Sequence, residues 1–218
     1  WQVFRFAAPS LAAGNVALLK HAPNVFGCAT HIEELISEAG FPDGVFQNLF
    51  IHHDNVEGIL ADDRIKAATL TGSERAGSSV AAIAGKHIKK TVLELGGSNS
   101  FIVWEDADMD QAVETGVTAR MMNSGQSCIA AKRFILVGDA YDKFLLAFQE
   151  KVKRLKSGDP LDESTDVGPL ARTDLAEKLE SQVQESVEKG AKLLMGGERD
   201  EAYYAPTILT NVQPGMPA

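Results

Sequence analysis

The fold is decided by residues 67–97, AATLTGSERAGSSVAAIAGKHIKKTVLELGG. This stretch opens with a short β-prone run at 67–70 and closes with a second one at 91–95. Residues 73–86 between the two runs have the composition of a helix, and the turn before them contains Gly72. A strand, a helix and a strand in this order predict two parallel strands, because parallel neighbours need a crossover connection.

The same alternation continues on the amino-terminal side of this stretch. Strands are predicted at residues 16–20 and 45–51, a helix at 25–39 and a shorter helix at 55–61. The apolar residues of the longer helix recur every three or four positions, and a glycine then ends it. Residues 1–95 are therefore predicted to form an α/β domain with a parallel sheet.

Two glycines at 96 and 97 interrupt the pattern and mark a predicted domain boundary. Beyond them the alternation resumes, and the predicted elements are strands at 101–104, 134–137, 192–195 and 207–209 and helices at 109–123, at 139–156 and before Gly190. Residues 96–218 are therefore predicted to form a second α/β domain.

The charge balance of the chain is acidic, with 21 Lys and Arg residues against 30 Asp and Glu residues and a formal net charge of -9. This balance argues against nucleic acid as a partner, because proteins that bind it present a basic face. No apolar run approaches the roughly 20 residues that cross a membrane, so no membrane association is predicted. The chain begins with Trp1 rather than Met and is expected to be an internal piece of a longer protein.

Two cysteines, Cys28 and Cys128, are present without the CxxC spacing of a zinc or redox motif. A reducing, cytoplasmic compartment is therefore expected. Cys128 closes the sequence Gly125-Gln-Ser-Cys128, and a helix after this loop would favour the thiolate through its dipole. Cys128 is thus a candidate nucleophile, with a small buried residue as the alternative. Cys28 lies within an apolar helical period and is expected to be buried.

Glu94 places a carboxylate at the end of a strand that otherwise has the composition of a buried one, just before Gly96 and Gly97. Ligand-binding and catalytic groups of α/β sheets lie at the carboxyl ends of strands. Desolvation there would raise the pKa of the carboxyl group toward the range that is useful for a general base. The alternative is an exposed glutamate on an edge strand. Glycines let another group approach the backbone closely, and this alternative would not explain their presence.

The turn between a strand and a helix contains Gly72 and Ser73, with Gly77 one turn further on. Free amides at such a helix start can hold a phosphate, but a serine that only caps the helix gives the same pattern. Lys20, at the end of the first predicted strand, is equally compatible with a ligand contact and with a solvated surface position.

The sequence His52-His53-Asp54 suggests a metal site, since imidazole and carboxylate groups are common metal ligands. Adjacent residues of a strand point to opposite faces, however, which favours a surface turn. No metal site is therefore predicted in this chain.

In combination, four motifs resemble the aldehyde dehydrogenase superfamily in order and spacing: Lys20-His-Ala-Pro23, Thr71-Gly-Ser73 with Gly77, Leu93-Glu-Leu-Gly-Gly97 and Gly125-Gln-Ser-Cys128. The 34 positions from Glu94 to Cys128 match the family's separation of general base and nucleophile. Further details, among them Gly158-Asp-Pro160, are similar to bacterial NAD(P)-dependent succinate-semialdehyde dehydrogenases. The resemblance extends over the whole chain.

The resemblance implies a parallel-sheet coenzyme-binding domain, residues 1–95, followed by an α/β catalytic domain, residues 96–218, both incomplete. It also implies the reaction. The thiolate of Cys128 would attack the aldehyde carbon, hydride would pass to NAD or NADP, and Glu94 would activate the water that releases the acid. The backbone amide of Cys128 would help to hold the oxyanion.

The residues that the resemblance assigns to cofactor binding are Lys20, Pro23, Gly72, Ser73, Gly77 and Leu95. Lys20 would reach the adenosine ribose, and the Leu95 carbonyl would contact the nicotinamide carboxamide. The amides and hydroxyl around Gly72 and Ser73 would bind the pyrophosphate. Pro23 occupies a position where NAD-preferring members often have Glu, which would repel a 2′-phosphate, so NADP is not excluded.

The substrate implied by the resemblance is succinic semialdehyde or a similar small semialdehyde, with its carboxylate held by Arg5. Arg5 aligns with an arginine that some succinate-semialdehyde dehydrogenases use for this purpose, and a guanidinium offers bidentate pairing. Met122 replaces a second arginine of such sites, so recognition would rest on one charge. The alternative for Arg5 is a surface position on the first helix. The complete protein is expected to be a homo-oligomer.

Two other functions stay open from the residues. A thioester hydrolase or acyltransferase could use Cys128, but such chemistry needs a histidine base, and no motif places one near this cysteine. The chain could also be a dinucleotide-binding fragment without catalysis. The family's oxyanion asparagine and ribose-binding segment are expected outside this chain, which predicts that the 218 residues alone are inactive.

Overall fold

The computed structural model describes all 218 residues and divides them into two compact units, Trp1–Gly96 and Gly97–Ala218. The first unit has the order α1 (Gln2–Ala12), β1 (Ala17–Leu19), α2 (Phe26–Glu38), β2 (Phe46–Asn48), α3 (Val56–Ala61), β3 (Ala67–Thr71), α4 (Glu74–Lys86) and β4 (Lys90–Glu94). Short 3-10 helices, Pro23–Val25 and His53–Asn55, precede α2 and α3.

The strands of the first unit pair two by two, and both pairs are parallel. β1 lies beside β2 with Ala17 opposite Phe46, and β3 lies beside β4 with Thr71 opposite Glu94. The α/β class and the parallel pairing are confirmed, although the two pairs are not joined into one sheet. Because β3 and β4 end at the same level, the turn at Gly72 lies next to Glu94.

A small apolar core holds α1 against the first strand pair. Val3 and Ala7, one turn apart on α1, are buried with Ala17 of β1 and Phe46 of β2, and apolar side chains of α2 pack against them. Arg5 lies between the two buried positions in sequence and is therefore on the exposed side of the helix.

The second unit has the order β5 (Asn99–Val103), α5 (Met109–Met121), β6 (Ala131–Leu136), α6 (Ala140–Lys153), α7 (Thr173–Glu188), β7 (Lys192–Met195), β8 (Arg199–Asp200), β9 (Tyr203–Tyr204) and β10 (Ile208–Thr210). β5 and β6 are parallel, whereas β7 pairs antiparallel with β10 and β8 with β9. No helix of either unit is long and apolar enough to cross a lipid bilayer.

Phenylalanines form the centre of the second unit's core. Phe144 and Phe148 of α6 stack with ring centroids 5.2 Å apart, and the Phe148 centroid lies 4.9 Å from that of Phe134 in β6. Gly116 allows α5 to approach this cluster, because a Cβ there would lie 3.2 Å from the Phe134 ring. The apolar face predicted for residues 139–156 is therefore a packing face.

Candidate active site

Glu94 and several predicted cofactor residues lie at or directly after the carboxyl ends of strands in the first unit. Lys20 directly follows β1, Gly72 and Ser73 follow β3, and Glu94 is the last residue of β4, with Leu95 after it. This is the edge at which parallel α/β sheets bind ligands. The rigid strands fix the backbone of each of these residues.

Glu94 forms an ion pair with Arg5 of α1. The Arg5 Nη2 and Glu94 Oε1 atoms are 2.5 Å apart, and the two side chains are 38% and 46% exposed. The structure differs here from the expected desolvation of Glu94, because the carboxylate contacts a cation and solvent instead of a closed apolar pocket. Glu94 is a half-exposed, paired carboxylate at the strand end.

The guanidinium of Arg5, predicted to hold a substrate carboxylate, is thus already in contact with a carboxylate of the chain. A guanidinium has five N–H donors, so the contact with Glu94 leaves others for a second carboxylate. Exposed ion pairs contribute only about 0–1 kcal/mol, and a better-placed carboxylate can displace Glu94 at little cost. Arg5 is therefore able to contact either group.

The turn after β3 offers fewer groups to a phosphate than the sequence suggested. The Gly72 N–H donates to the Glu94 carbonyl at 3.0 Å, which continues the strand pairing and corrects the expectation that this amide binds pyrophosphate. Ser73 caps α4, and its Oγ accepts a hydrogen bond from the Ala76 N–H at 3.2 Å. A capping hydroxyl keeps its own proton as a donor, so Ser73 and the first-turn amides of α4 are the groups available here.

Gly77 has a packing role that explains why this position is a glycine. It is buried in α4, and a Cβ there would lie 2.6 Å from Cδ2 of Leu95. The missing side chain lets α4 approach the end of β4 closely. Gly77 therefore positions Leu95, the residue whose carbonyl is predicted to contact the nicotinamide.

Lys20 and Pro23 lie in the turn between β1 and α2. The Lys20 side chain is half-buried, and its Nζ donates to the carbonyl of His21 at 3.1 Å. Partial burial and the charge of Lys20 lower the pKa of His21, so this imidazole is neutral at neutral pH. Pro23 is exposed and begins a 3-10 helix, where its missing N–H leaves no donor unsatisfied. Lys20 is therefore the charged group that this turn offers to a ligand.

Cys128 is half-buried in residues 122–130, here called the cysteine loop. The helix that could follow this loop does not form, because β6 begins at Ala131 and pairs there with Asn99 of β5. The strand predicted at 134–137 thus begins three residues earlier than expected. A helix dipole cannot stabilise the thiolate in this structure.

The cysteine loop is fixed by its backbone and by two side chains. Asn123, Ser124 and Gly125 have left-handed φ values of 55°, 54° and 75°, which turn the chain sharply after α5. The Ser124 Oγ accepts a hydrogen bond from the Gly168 N–H at 3.0 Å, and the Gln126 Oε1 accepts one from the Ala171 N–H at 2.9 Å. These contacts hold the loop against the segment before α7.

Arg120 is a residue of this site that the sequence did not reveal. Its guanidinium donates to the carbonyl of Gly125 and, at 3.2 Å, to that of Ala131, and so joins the two ends of the turn that carries Cys128. Burial lowers the pKa of Arg120. A lone basic residue near the end of a helix is ordinarily a surface residue, and nothing in the spacing of α5 indicated otherwise.

Cys28 is exposed on α2, contrary to the expectation that it is buried. The helix buries Ala29 and packs Ile32 and Ile36 against the core, whereas Cys28 lies beside that stripe. A labelling experiment on Cys128 therefore needs Cys28 to be replaced.

The sequence His52-His53-Asp54 forms part of a turn that begins α3. A 3-10 helix, His53–Asn55, replaces the strand that was expected to separate the side chains. The argument from opposite strand faces is therefore wrong here, because the ligand atoms of all three residues lie within 4.8 Å of one another. All three side chains are exposed, as in a surface turn.

The predicted site residues are divided between the two units. Those in Gly97–Ala218 are Cys128 and the side chains that hold its loop. Those in Trp1–Gly96 are Arg5, Lys20, Pro23, Gly72, Ser73, Gly77, Glu94 and Leu95.

Comparison with known proteins gives a family match over nearly the whole chain. The model of the aldehyde dehydrogenase family matches residues 2–218. The NADP(+)-dependent succinate-semialdehyde dehydrogenase of Mycobacterium avium is 54% identical over 219 residues, which are 99% of this chain and 46% of the relative. A probable enzyme of the same name from Synechocystis is 53% identical over 220 residues, or 100% of this chain and 48% of the relative.

A solved structure from the same group of enzymes is similar to this chain in fold. The succinic semialdehyde dehydrogenase of Streptococcus pyogenes, crystallised with NADP+ as the cofactor, has a TM-score of 0.95 and 39% identity. The match covers 99% of this chain and 48% of that chain. The chain therefore spans about half the length of the proteins that it matches.

Proposed function

The chain belongs to the aldehyde dehydrogenase family, and on that premise we propose that the whole protein oxidises succinic semialdehyde, or a similar small semialdehyde, to the carboxylic acid with NADP+ as the oxidant. The observation that carries the proposal is the anchored cysteine loop, in which hydrogen bonds fix residues on both sides of the half-buried Cys128. Loops fixed in this way present a nucleophile in a defined geometry.

The first half of the proposed reaction takes place on Cys128. Its thiolate attacks the aldehyde carbon, and the carbonyl oxygen becomes an oxyanion. The Cys128 N–H donates to no other group of the chain and is free to bind that oxyanion. NADP+, when bound, would supply the hydride acceptor, and loss of hydride from this carbon would leave a thioester on Cys128.

The second half of the reaction requires the base, Glu94. Its carboxylate takes a proton from water, the resulting hydroxide adds to the thioester carbonyl, and the carbon–sulfur bond breaks. The acid leaves and Cys128 returns to the thiolate. Over both halves of the reaction, aldehyde, water and NADP+ are consumed, and carboxylic acid, NADPH and a proton are produced.

The first unit fits a phosphate-bearing dinucleotide. Lys20 and the capped start of α4 at Ser73 lie at carboxyl ends of parallel strands and supply an ammonium, a hydroxyl and free amides. Residues 1–32 contain no Asp or Glu, so no acidic side chain of this segment opposes a 2′-phosphate. Pro23 is uncharged where an acidic residue would select NAD. These features support NADP over NAD, in agreement with the names of the relatives.

Arg5 supports a substrate that carries a carboxylate. Its guanidinium already donates to one carboxylate, that of Glu94, with the Arg5 Nη2 and Glu94 Oε1 atoms 2.5 Å apart. Arg5 and Glu94 belong to different elements, α1 and β4, so their contact shows that the Arg5 side chain reaches the level of the proposed base. A small semialdehyde with a terminal carboxylate would use the same guanidinium.

The proposal is tested by NADPH absorbance at 340 nm with the whole purified protein. We expect turnover with succinic semialdehyde and NADP+, slower turnover with NAD+, and loss of turnover in Cys128→Ser. Cys28→Ser, the matched control at the exposed cysteine, should keep full activity. Turnover that survives Cys128→Ser would contradict the assignment of the nucleophile.

A cysteine-dependent thioester hydrolase is the main alternative. Its chemistry needs a histidine base, and no motif places any of the five histidines, His21, His31, His52, His53 and His87, beside Cys128. Thioester hydrolysis without cofactor, together with no aldehyde oxidation, would favour this alternative.

We further propose that the whole protein is a cytoplasmic homo-oligomer that binds neither nucleic acid nor membranes. Both cysteines are free, which suits a reducing compartment. The net charge of -9 opposes binding to nucleic acid. Size-exclusion chromatography with light scattering on the whole protein tests the assembly, and a monomer would contradict it.

A further inference from the structure

Lys132 of β6 places its ammonium group at the cysteine loop. Its Nζ donates to the carbonyl of Cys128 at 3.4 Å and also to the carbonyl of Gly97. One side chain thus connects the peptide of the candidate nucleophile to the glycine turn that begins the second unit. Because β6 is paired with β5, the backbone that carries Lys132 is fixed.

The positive charges around the cysteine loop have no carboxylate partner. Arg120 of α5 and Lys132 of β6 donate to backbone carbonyls, and Arg133 donates to the Ser98 carbonyl at 3.0 and 2.9 Å. None of the three takes part in an ion pair of the structure, although other Lys and Arg residues do. Their charge is therefore not neutralised within the site.

The charge of Lys132 acts on Cys128 directly. Burial and the charge of Arg120 lower the pKa of Lys132, and the negative charge of a Cys128 thiolate opposes that lowering. Electrostatic attraction between opposite charges is mutual, so a protonated Lys132 also attracts a thiolate at Cys128. This interaction is available where the helix dipole expected from the sequence is missing.

We propose that Lys132 is a positioning residue of the nucleophile, which holds the Cys128 peptide through a hydrogen bond and favours the thiolate through its unpaired charge. The inference rests on the proposed function, since it takes Cys128 as the nucleophile. Arg120 adds to the same positive field but donates to other carbonyls, so Lys132 is the cation in contact with the cysteine's own peptide.

The experiment measures alkylation of Cys128 by iodoacetamide as a function of pH, in the whole protein with Cys28→Ser as the background. Iodoacetamide is uncharged, so its access does not depend on the charge of Lys132. Lys132→Met removes the charge and the donor, Lys132→Gln removes the charge but keeps an N–H donor, and Lys132→Arg keeps both. Lys143→Met, at an exposed lysine of α6, is the matched control.

We expect Lys132→Met and Lys132→Gln to move the midpoint of the alkylation profile up by about one pH unit, as for loss of one nearby charge. At pH 7 this slows alkylation about tenfold, while the rate on the high-pH plateau is unchanged. Lys132→Arg and Lys143→Met should keep the original midpoint. The Gln variant decides the result if the Met variant does not fold.

Two outcomes would overturn the inference. An unchanged midpoint in Lys132→Gln would show that the charge does not act on the thiol. A midpoint that moves equally in Lys132→Arg would show that the shape of the lysine, and not its charge, is required. The proposed function is checked separately, because it fails when the unsubstituted protein does not reduce NADP+, whatever the alkylation profile.

Discussion

At the residue scale, the contact between Arg5 and Glu94 changes the interpretation of both side chains. Each was predicted alone, Arg5 as a substrate contact and Glu94 as a desolvated base. The structure instead pairs them at 2.5 Å with both side chains partly exposed. A pair of this kind is weak, so a substrate carboxylate can exchange with Glu94 on the guanidinium.

Arg5→Ala should therefore weaken binding of succinic semialdehyde. A charge-assisted contact of this kind contributes roughly 1.5–3 kcal/mol, so we expect KM to rise about tenfold or more. Steady-state kinetics on the whole protein should show a much smaller rise for butanal, which has no carboxylate. Arg75→Ala, at an exposed arginine of α4, serves as the control. Equal effects on both aldehydes would remove Arg5 from the substrate site.

Glu94→Gln should separate the two halves of the reaction. Hydride transfer does not need the base, whereas hydrolysis of the thioester does. Stopped-flow absorbance should show a burst of NADPH equal to the enzyme concentration, followed by turnover slowed by about 10²–10⁴. Glu94→Asp, which keeps a carboxylate, should recover part of the steady-state rate. Unchanged turnover in the Gln variant would show that Glu94 is not the base.

At the element scale, the close approach of α4 to the end of β4 depends on one glycine. Gly77 was predicted as part of a phosphate-binding turn, and the structure adds a packing reason for it. A Cβ at this position would meet Leu95 at 2.6 Å, so helix and strand end are positioned relative to each other by the absence of a side chain.

Gly77→Ala should destabilise the first unit and disturb cofactor binding. The added methyl group would push the tip of the Leu95 side chain out of its rotamer, which costs about 0.5–1.5 kcal/mol, and the displaced Leu95 should raise KM for NADP+. Gly85→Ala in the same helix is the matched control, because nothing lies within 4 Å of the added methyl group. It should leave KM unchanged and stabilise the helix by up to about 1 kcal/mol. Thermal unfolding and NADP+ kinetics of both variants provide the test, and equal behaviour would refute the packing role.

The order of elements was largely predictable, and the exceptions have local causes. Helical and strand periods are properties of neighbouring residues, and nearly every predicted element exists within a few positions of its expected range. The main difference concerns the helix that could have followed Cys128. The strand predicted at 134–137 begins at Ala131 instead, since it gains hydrogen bonds from β5, a partner that is remote in sequence.

At the scale of the whole molecule, both units expose strand residues that a parallel sheet normally buries. Strand residues such as Val92 and Ile102 are 58% and 53% exposed, although parallel strands are normally covered on both faces. Surface of this kind is normally covered by other protein.

Residues 1–218 produced alone should therefore be inactive and prone to association. We expect dye binding to exposed apolar surface, elution as soluble aggregate and no measurable reduction of NADP+ with succinic semialdehyde. The whole protein, assayed in parallel, should be monodisperse and active. A stable monomer with full activity from residues 1–218 would contradict both the surface argument and the expectation that part of the site lies elsewhere.

The amino-acid sequence predicted the class of the fold and the order of its elements, because helical and strand periods are properties of neighbouring residues. Its motifs around residues such as Glu94 and Cys128 carried the resemblance to the family. It did not determine which side chains meet. Only the tertiary structure paired Arg5 with Glu94 and placed Arg120 and Lys132 around the cysteine loop. Such contacts depend on how elements that are distant in sequence pack and pair. They cannot be predicted from local sequence patterns, because those patterns reflect only neighbouring residues.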